Sequence, residues 1–320
     1  MSKVIYGRVK VLELIHNSGV TGPGRIVLGL AKYINREEFT LDVLCPENGA
    51  LPNDLSKVNT RVIPFTWKNT MDFGNFLRLR SRLRAEGYHV FHIHSGQLNA
   101  FGKIMAMSLG IPAVVITEHL SVSGHKWIKN KFKLFLHLLL HRLSDSLADK
   151  VIAVSESARK SFIIRQKVSS QKVITIYNGV DFVENLFGEE DKNKIRLELG
   201  ILLDSPVLAV IGRLSPEKGQ KIFVLAAREI TRDYPQARFL LIGEGTERPS
   251  LEKLIVESGL KDKFVLTGFI ENIVPALEIT DIVVQSSLDA GESFGLSAAE
   301  AMARSKPVIV SDIDCFKEII

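Results

Sequence analysis

Short apolar runs alternate along the chain with longer segments of helical periodicity. Residues 207–211 (VLAVI) and 238–242 (RFLLI) are typical of these runs, and a glycine follows each of them. Short aliphatic runs predict buried strands, and their alternation with helices predicts parallel βαβ units. The pattern therefore predicts an α/β protein with doubly wound parallel sheets.

In the first half of the chain, strands are predicted at residues 9–15, 41–45, 61–64, 89–94, 112–117, 151–155 and 173–177, and helices at 26–33, 73–86 and 126–147. In the second half, strands are predicted at 207–211, 238–242, 264–267, 281–284 and 307–310, and helices at 184–203 and 220–234, with a last helix that begins near Phe294 or Gly295. Open parallel sheets bind ligands at the carboxyl ends of their strands. The residues that follow each strand are therefore the candidates for chemistry.

The distribution of charge divides the chain into two parts. Residues 1–180 contain 25 lysines and arginines against 12 acidic residues, a net charge of +13, whereas residues 181–320 contain 16 against 24, a net charge of −8. With 320 residues, the chain is long enough for two domains of ordinary size. We therefore predict a basic N-terminal domain at 1–180 and an acidic C-terminal domain at 181–320, with different partners.

Features that the sequence lacks disfavour several classes of protein. The two cysteines, Cys45 and Cys315, match no metal-binding spacing, and the chain shows neither a signal peptide nor an apolar run long enough to span a membrane. We expect a cytoplasmic protein without a metal. The basic residues are not interleaved with aromatic residues, which disfavours a nucleic-acid partner.

The basic residues of the first half form a candidate membrane surface. They are concentrated in segment 126–147 and at Arg78, Arg80, Arg82 and Arg84. A basic amphipathic surface can rest on the anionic lipid of the inner membrane face. The alternative is an ordinary solvated helix face, which fits the pattern equally well.

Two carboxylates flank the start of the last predicted helix. Glu292 stands before it and Glu300 inside it, and a helical spacing of this length returns to within roughly 80° of the starting direction. An ionised carboxylate accepts two hydrogen bonds, so Glu300 can hold a ribose diol while Glu292 faces a sugar. The N–H groups of Phe294, Gly295 and Leu296 at the helix start predict a phosphate site. A solvated helix face is the alternative interpretation of the glutamates.

Two cations follow the strand predicted at 207–211. Arg213 and Lys218 lie on the short loop GRLSPEKG at the carboxyl end of that strand. Two positive charges there can neutralise a departing diphosphate, each charged hydrogen bond contributing about 1.5–3 kcal/mol. Considered alone, the loop is explained equally well as a surface turn, but its position before the paired glutamates favours the functional interpretation.

Other strands also end in residues suited to ligands. Gly22 and Gly24 lie in a glycine-rich turn after the first strand, and Gly243 follows the strand at 238–242. Strands that end at His94 and His119 would bring two imidazoles to one sheet edge. For His119 we favour a role in the site, and for His94 a structural role.

Together these motifs resemble the signature of the retaining family four, or group 1, glycosyltransferases of the glycosyltransferase B fold. The matching segments are Glu292-Ser-Phe-Gly-Leu, Glu300-Ala-Met-Ala, Lys306-Pro-Val-Ile-Val, Gly212-Arg213 with Lys218-Gly219, and Thr117-Glu118-His119. The resemblance implies two Rossmann-like domains that face a cleft. Donor contacts would come from the second domain and acceptor contacts mainly from the basic first domain.

The resemblance also implies roles for individual side chains. Glu300 would hold the ribose of the donor, and Glu292 would hold the donor sugar. Arg213 and Lys218 would grip the diphosphate. His119 would reach the sugar and the leaving diphosphate.

The remaining donor contacts implied by the resemblance come from loops. The residues concerned are Gly22, Gly24, Gly243, Ser293, Phe294, Gly295 and Leu296. Phe269 follows the strand at 264–267, in the loop that reads the nucleobase in this family, and would stack on the base. A core position is the alternative for this aromatic ring.

The chain departs from the family pattern in two places. Thr21 stands where the family has the first glycine of a Gly-Gly pair, and Asp314-Cys315 stands before Phe316 where the family often has two glycines. Glu318 then occupies the family's glutamate position. The family also continues with further strands and a final helix, so we expect a second domain that is shortened at its C-terminus and incomplete.

From these motifs we expect a retaining glycosyltransferase of the hexosyltransferase type. It would move a sugar from a UDP- or GDP-sugar to a lipid-linked or saccharide acceptor, in the synthesis of cell-surface polysaccharide or glycolipid. No cofactor or metal is expected, because Arg213, Lys218 and a helix start can stabilise the leaving group. The alternatives are a sugar-nucleotide epimerase on the same fold and a nucleotide-binding remnant that performs no chemistry.

Overall fold

The computed structural model describes residues 7–65, 73–94, 98–119, 148–181, 187–288 and 292–320. The chain forms two compact units, Met1–Gly179 and Val180–Ile320. Within these residues, each unit forms one sheet in which all the paired strands are parallel. The α/β class predicted from the sequence is confirmed.

The sheet of the first unit has seven strands: β1 (Val9–Leu14), β2 (Phe39–Cys45), β3 (Arg61–Pro64), β4 (Val90–Ile93), β5 (Ala113–Glu118), β6 (Lys150–Ala153) and β7 (Val173–Thr175). Their order across the sheet is β3-β2-β1-β4-β5-β6-β7. The direction of winding therefore reverses between β1 and β4. In open parallel sheets the crevice at such a switch point is the usual ligand site.

The helices described in the first unit are α1 (Gly22–Tyr33), α2 (Ala50–Lys57), α3 (Phe73–Leu83), α4 (Asn99–Leu109) and α5 (Glu156–Gln166). On one face of the sheet, Val11 and Ile15 of the first strand region share a buried cluster with Val27 of α1 and Leu51 of α2. On the other face, Gly102 of α4 lies so close to Ile93 that an added Cβ would be 2.5 Å from its Cδ1 atom. Both faces of the central strands are thus covered.

Some elements of the first unit differ from the predictions. Helix α1 begins at Gly22, earlier than the predicted 26, because Thr21 is extended as its N-cap and Pro23 suits the first turn of a helix. Helices α2, α4 and α5 had not been predicted. The helix predicted at 126–147 lies entirely within residues 120–147, outside the described part of the chain.

The second unit has a five-stranded sheet: β8 (Val207–Ile211), β9 (Arg238–Ile242), β10 (Phe264–Gly268), β11 (Ile282–Gln285) and β12 (Val308–Val310). Their order is β10-β9-β8-β11-β12, so the switch point lies between β8 and β11. All five residues of β8 are buried, as expected for a central strand with both faces covered.

The helices described in the second unit are α6 (Glu189–Glu198), α7 (Gln220–Asp233), α8 (Arg248–Glu257), α9 (Val274–Glu278) and α10 (Leu296–Met302). Helix α7 packs Phe223 against Phe239 of β9 with ring centroids 5.7 Å apart, and Phe264 of β10 stacks on Phe239 at 5.1 Å. The opposite face of the sheet buries Val207, Ala209 and other small aliphatic residues.

Four helices of the second unit also differ from the predictions, and two of them, α8 and α9, had not been predicted. The helix predicted at 184–203 is shorter, because Gly200 adopts a left-handed conformation with φ +66° just beyond its end. Helix α10 begins at Leu296, with Gly295 as its N-cap at φ +89°. Among the described helices of both units, none combines the length and the apolar character needed to cross a membrane.

Candidate functional site

Two loops meet at the switch point of the second sheet. One follows β8 and contains residues 212–219, and the other follows β11 and runs from Ser286 towards α10. The strands β8 and β11 are neighbours in the sheet, so both loops leave it at the same edge. The tertiary structure therefore brings the two sequence motifs predicted to bind the donor to one place.

Lys218 and Glu292 form the central contact between these loops. The Nζ atom of Lys218 donates a hydrogen bond to Oε2 of Glu292 at 2.6 Å, and both side chains are mostly buried, with exposed fractions of 18% and 13%. The hydroxyl of Ser287 donates to the same oxygen at 3.4 Å. Two of the residues predicted to be catalytic are thus in direct contact.

The second oxygen of Glu292 accepts hydrogen bonds from the backbone. The N–H groups of Ser293 and Gly295 donate to Oε1 at 3.3 and 3.2 Å. The N–H of Gly295, which was predicted to meet a phosphate, donates to Glu292 in this structure, and its role in donor binding stays a prediction. Glu292 also lies before the N-cap of α10 and is not part of that helix. The angle predicted between Glu292 and Glu300 from helical spacing therefore does not apply.

Close backbone approach holds the two loops together. Gly219 has φ +64°, and a Cβ atom added to it would lie 2.1 Å from the carbonyl oxygen of Ser286. The Ser286 hydroxyl donates to the carbonyl of Gly219 at 3.0 Å, and the N–H of Leu288 donates to the carbonyl of Glu217 at 2.8 Å. Only glycine fits at position 219, which fixes Lys218 beside the β11 loop.

Arg213 lies on the same loop as Lys218 but at its surface. Its side chain is 64% exposed, and Nη2 lies 3.3 Å from Oε1 of Glu217. The carbonyl of Arg213 accepts a hydrogen bond from Nε2 of Gln220 at 2.8 Å. Burial alone would raise the pKa of Glu217, but the hydrogen bond from Ser215 and the charges of Arg213 and Lys218 lower it. A guanidinium with this exposure is accessible to a ligand.

The other predicted donor residues of the second unit have different environments. Ser293 and Phe294 are both 6% exposed, so their side chains are buried and a ligand would meet only their backbone. Phe269 is 56% exposed, which excludes the core position considered as the alternative for its ring. Leu296 is the first residue of α10, and Glu300 lies partly buried within that helix.

Gly243 has a structural explanation. It has φ +143°, and an added Cβ atom would lie 2.0 Å from the carbonyl oxygen of Gly212. Its N–H donates to the carbonyl of Gly268 at 2.9 Å. Gly243 therefore joins the ends of β8, β9 and β10, and its predicted role in donor binding stays a prediction.

The glycine-rich turn of the first unit is also explained by packing. Gly24 lies in the first turn of α1, and a Cβ atom there would lie 2.4 Å from the carbonyl oxygen of Gly19. At Gly22 an added Cβ atom would meet nothing within 4 Å. Glycine is therefore required at position 24, because the preceding loop passes close to it at Gly19. The donor contacts of Gly22 and Gly24 stay predictions.

A cluster of acidic and imidazole side chains lies at the switch point of the first sheet. Glu13 of β1 and His92 of β4 are register partners on neighbouring strands. Nδ1 of His92 lies 3.0 Å from Oε1 of Glu13, and Nε2 of His94 lies 2.6 Å from Oε2. His119 joins this cluster, because its Nε2 atom lies 3.0 Å from Nδ1 of His94.

Burial shapes the protonation of this cluster. Burial raises the pKa of Glu13, but the charges of His92 and His94 outweigh that effect and lower it to about 2. Burial and the neighbouring charge of His92 lower the pKa of His94, although Glu13 acts in the opposite direction. Burial and the two neighbouring imidazoles lower the pKa of His119 well below its ordinary value. These shifts favour the neutral form of both imidazoles.

Glu13, His92 and His94 are also the candidates for a metal centre among the described residues. One ligand atom from each lies within 4.8 Å of the others. However, the contact of 2.6 Å between Nε2 of His94 and Oε2 of Glu13 is shorter than two ligands of one metal ion normally approach, and the Nε2 atom of His92 contacts the hydroxyl of Thr117 at 2.7 Å. Nε2 of His94 and Oε2 of Glu13 are close but do not have hydrogen-bond geometry, whereas His92 contacts both Glu13 and Thr117 with such geometry.

Sequence reasoning missed two members of this cluster. Glu13 and His92 had not been singled out, and His94 was expected to be structural. The available signal was a carboxylate inside an otherwise apolar strand, since Glu13 lies between buried aliphatic residues and is itself only 2% exposed. A buried charge without a partner is strongly unfavourable, so such a position predicts a partner on a neighbouring strand.

Comparison with known protein families gives matches over most of the chain. The profile described as "Glycosyltransferase Family 4" matches residues 20–184, and the profile "Glycosyl transferases group 1" matches residues 191–320.

Two similar relatives are transferases in bacteria. One is the UDP-Gal:alpha-D-GlcNAc-diphosphoundecaprenol alpha-1,3-galactosyltransferase of Escherichia coli, 27% identical over 98% of this chain and 80% of the relative. The other is the alpha-D-kanosaminyltransferase of Streptomyces kanamyceticus, 28% identical over 76% of this chain and 64% of the relative.

Solved structures show the same fold at low sequence identity. HepE of Anabaena in complex with UDP-glucose superposes with a TM-score of 0.83 at 22% identity, over 98% of this chain and 83% of that one. WaaG, a glycosyltransferase involved in lipopolysaccharide biosynthesis, gives a TM-score of 0.69 at 12% identity, over 97% of this chain and 83% of that one.

Proposed function

The chain belongs to the family 4, group 1 glycosyltransferases and has two Rossmann-like units of the glycosyltransferase B type, and from this premise we propose that it transfers a sugar from a UDP-sugar to a lipid-linked acceptor with retained configuration. The observation that carries the proposal is the contact of 2.6 Å between Lys218 and Glu292 at the switch point of the second sheet. This contact joins the residue assigned to the diphosphate with the residue assigned to the sugar. The bond that breaks in the donor lies between those two groups.

The leaving diphosphate is the charge that the site must stabilise. Lys218 is held by Glu292 and by the backbone around Gly219, so its ammonium group is oriented before the donor binds. Arg213 adds a second, exposed cation from the same loop. Oriented charges act most strongly where water is excluded, so the mostly buried Lys218 should favour departure of the diphosphate more than the exposed Arg213 does.

Retention follows in this proposal from attack on the face that the diphosphate leaves. The bond between the anomeric carbon and the diphosphate oxygen breaks, and the acceptor hydroxyl oxygen bonds to the same face of that carbon. The hydroxyl proton passes to the departing phosphate oxygen. Glu292 is held by Lys218, Ser293 and Gly295, an arrangement that orients it as a hydrogen-bond acceptor and makes no use of it as a nucleophile.

A donor based on UDP is supported by the relative from Escherichia coli, whose name specifies UDP-Gal. Isothermal calorimetry against UDP, GDP and ADP, with and without magnesium, tests this choice. We expect UDP to bind and the other two nucleotides to bind at least about tenfold more weakly. Binding of GDP or ADP in preference would contradict the proposed donor, and failure of all three to bind would contradict the donor site itself.

The cationic loop is tested by a matched pair of lysine variants. Lys218→Met should weaken UDP binding by at least about tenfold, because one charged hydrogen bond is lost. Lys221→Met is the control, since Lys221 is 56% exposed and pairs with Glu247 on the surface of α7. Equal UDP affinity in the Lys218 variant and the wild type would contradict its assignment to the diphosphate.

Transfer itself is tested by incubation with UDP-galactose or UDP-glucose and a polyprenyl diphosphate sugar. We expect UDP release that depends on the acceptor. Formation of an altered UDP-sugar without acceptor would favour an epimerase instead. UDP binding without release under any of these conditions would favour a protein that binds the nucleotide and performs no chemistry.

An acceptor embedded in a membrane is supported by the surface of α3 and α4. Phe73 and Leu77, one helical turn apart on α3, are 70% and 61% exposed, and Ile104 and Met107 on α4 are 58% and 67% exposed. Helices α3 and α4 pack against each other, and Arg80 of α3 donates to the carbonyl of Ser108 at 3.2 Å.

Apolar side chains beside exposed arginines suit the interface of an anionic bilayer. Arg78 and Arg82 are exposed on α3 next to these apolar residues. Each basic residue near an anionic surface contributes about 1 kcal/mol, and the apolar side chains add burial in the acyl region. The same surface would bring the enzyme to a lipid-linked acceptor.

Flotation with vesicles tests this surface. The chain should bind vesicles that contain phosphatidylglycerol and should not bind vesicles of phosphatidylcholine alone. The double variant Phe73→Ser with Leu77→Ser should lose this binding, whereas Ile164→Ser should keep it, because Ile164 is 76% exposed on α5. Equal loss in both variants would contradict a role specific to α3.

A further inference from the structure

Both cations that the proposed function assigns to the diphosphate are already paired with glutamates of the second unit. The Nζ atom of Lys218 lies 2.6 Å from Oε2 of Glu292. Nη2 of Arg213 lies 3.3 Å from Oε1 of Glu217. When all four side chains are ionised, they carry no net charge together. Each cation therefore has a partner that competes with an incoming diphosphate.

The pair of Lys218 and Glu292 is fixed on both sides. Both side chains are mostly buried, and Glu292 also accepts hydrogen bonds from the N–H groups of Ser293 and Gly295. Separating the two would leave a mostly buried charge without its partner, which is strongly unfavourable. We therefore expect this pair to persist when a ligand enters.

In the pair of Arg213 and Glu217, the carboxylate is fixed and the guanidinium is exposed. Oε1 of Glu217 accepts from the hydroxyl of Ser215 at 2.7 Å, and the carbonyl of Glu217 accepts from the N–H of Leu288 at 2.8 Å. Arg213 is 64% exposed and contacts the carboxylate through Nη2. Glu217 therefore stays in place, whereas Arg213 can turn to another anion.

Glu217 carries its charge at neutral pH. Burial raises its pKa, but the hydrogen bond from Ser215 and the charges of Arg213 and Lys218 outweigh burial and lower the pKa below its ordinary value. A fixed, ionised carboxylate repels an anion that binds beside it, and the repulsion grows as the distance shortens.

Glu217 has two opposite effects on the use of Arg213 by a ligand. It orders the guanidinium, which favours binding of a diphosphate, and it occupies the guanidinium, which opposes binding. An exposed ion pair holds a long side chain only weakly, so the gain from order is small. The opposing effect is therefore the larger one, and repulsion between the carboxylate and the diphosphate adds to it.

We propose that Glu217 competes with the diphosphate for Arg213, which pairs with Glu217 before UDP binds and returns to it as UDP leaves. The assignment of Arg213 to the diphosphate rests on the function proposed above. Release of the product limits turnover in many enzymes. A carboxylate that takes back one of the two cations favours that release, while Lys218 keeps its place for the next donor.

Calorimetry of UDP binding to the intact chain tests this role with the isosteric variant Glu217→Gln. The amide can keep its contact with Ser215 but lacks the charge that holds Arg213. We expect the Kd for UDP to fall by about threefold, the scale of one exposed ion pair. Product inhibition by UDP in the transfer assay should strengthen by the same factor. Unchanged or weaker binding would overturn the proposal, because neutralising a residue that positions Arg213 weakens binding.

Glu229→Gln is the matched control. Glu229 also pairs with an arginine, Arg232, and both side chains are largely exposed. It lies nine residues beyond Gln220, the first residue of α7, which is roughly 14 Å along the helix. Exposed charges are largely screened beyond about 10 Å at 0.1 M salt, so UDP affinity should not change. An equal gain in both variants would reveal an effect of net charge alone and overturn the competition for Arg213.

The Arg213→Met background separates the ion pair from the charge of the carboxylate. In that background, Glu217→Gln should tighten UDP binding by less than it does in the wild type, because the guanidinium for which it competes is gone. The same gain with and without Arg213 would contradict competition for this side chain.

A crystal structure of the wild-type chain with UDP tests the proposal without any variant. We expect Nη2 of Arg213 to contact a phosphate oxygen and to lie beyond hydrogen-bond distance of Glu217. A guanidinium that contacts the phosphate and Glu217 together would make Glu217 a positioning residue and overturn the proposal.

The failure of this proposal differs from the failure of the proposed function. If the wild type binds UDP and Glu217→Gln binds it no more tightly, the competition fails and the donor site stands. If UDP binds more tightly to Glu217→Gln but no sugar is transferred, the transferase function fails and the competition stands. If the wild type does not bind UDP, both fail.

Discussion

Replacing Gly295 by alanine tests how tightly the loop before α10 is packed. Gly295 has φ +89°, a left-handed conformation that costs an L-residue about 1–2 kcal/mol. The added Cβ atom would lie 2.4 Å from Cε1 and 2.9 Å from Cδ1 of Phe316. Phe316 is only 1% exposed, so its ring has little room to move.

The two effects add to a substantial loss of stability. Overpacking of a buried site costs about 1–3 kcal/mol, so Gly295→Ala should lower the free energy of unfolding of the second unit by about 2–5 kcal/mol in total. Gly200→Ala is the matched control, because Gly200 has φ +66° but nothing within 4 Å of an added Cβ atom. It should lose only the conformational part, about 1–2 kcal/mol.

Urea unfolding followed by circular dichroism measures both variants. Tryptophan fluorescence would not report on the second unit, because both tryptophans, Trp67 and Trp127, lie in the first half of the chain. An equal loss of stability in Gly295→Ala and Gly200→Ala would refute the close packing of Phe316 against Gly295. Because Gly295 donates to Glu292, we also expect weaker UDP binding in the alanine variant.

Three further predictions concern protonation, reactivity and stacking. The pKa of Glu13 is lowered to about 2 in the folded chain, so ionised Glu13 stabilises the fold above the ordinary pKa of a glutamate, and this stabilisation is lost as pH falls towards about 2. The acid unfolding curve of Glu13→Gln should therefore lack this part of the pH dependence. An unchanged curve would contradict the lowered pKa. Burial raises the pKa of Cys45 to about 11 and the pKa of Cys315 to about 12. Both thiols should therefore resist alkylation by iodoacetamide at pH 8 until the chain is unfolded. Rapid labelling of the native chain would contradict their burial. Phe269→Ala should weaken UDP binding by about tenfold, because stacking on the base is lost. It should not lower the stability of the fold, because the ring is 56% exposed. Unchanged UDP affinity would contradict the assignment of Phe269 to the base.

Much of the fold was predictable because its central strands are apolar throughout. Strands β3, β8 and β9 begin and end where the sequence predicted. The start of α1 was misjudged because a glycine-rich segment favours a turn, whereas Pro23 and the extended Thr21 start a helix there. Helix α2 was missed because a short segment with an internal proline carries a weak periodic signal, and its helical state depends on packing Leu51 and Leu55 against the sheet.

The candidate site was predictable as a set of motifs but not as a set of contacts. Arg213, Lys218 and Glu292 were recognised from their positions after apolar strands, because parallel strands present their carboxyl ends to ligands. The use of the Gly295 N–H by Glu292 was not, because hydrogen bonds within a loop depend on its backbone conformation.

The sequence by itself determined the elements: which segments are strands, which loops carry charge, and which family these motifs resemble. Only the tertiary structure decided which of these residues touch. Lys218 and Glu292 are 74 residues apart, and Glu13 and His92 are 79 residues apart. Each pair meets because β8 lies beside β11 and β1 lies beside β4. That order follows from the packing of whole helices and strands around a shared core, and the local sequence at either residue does not contain it.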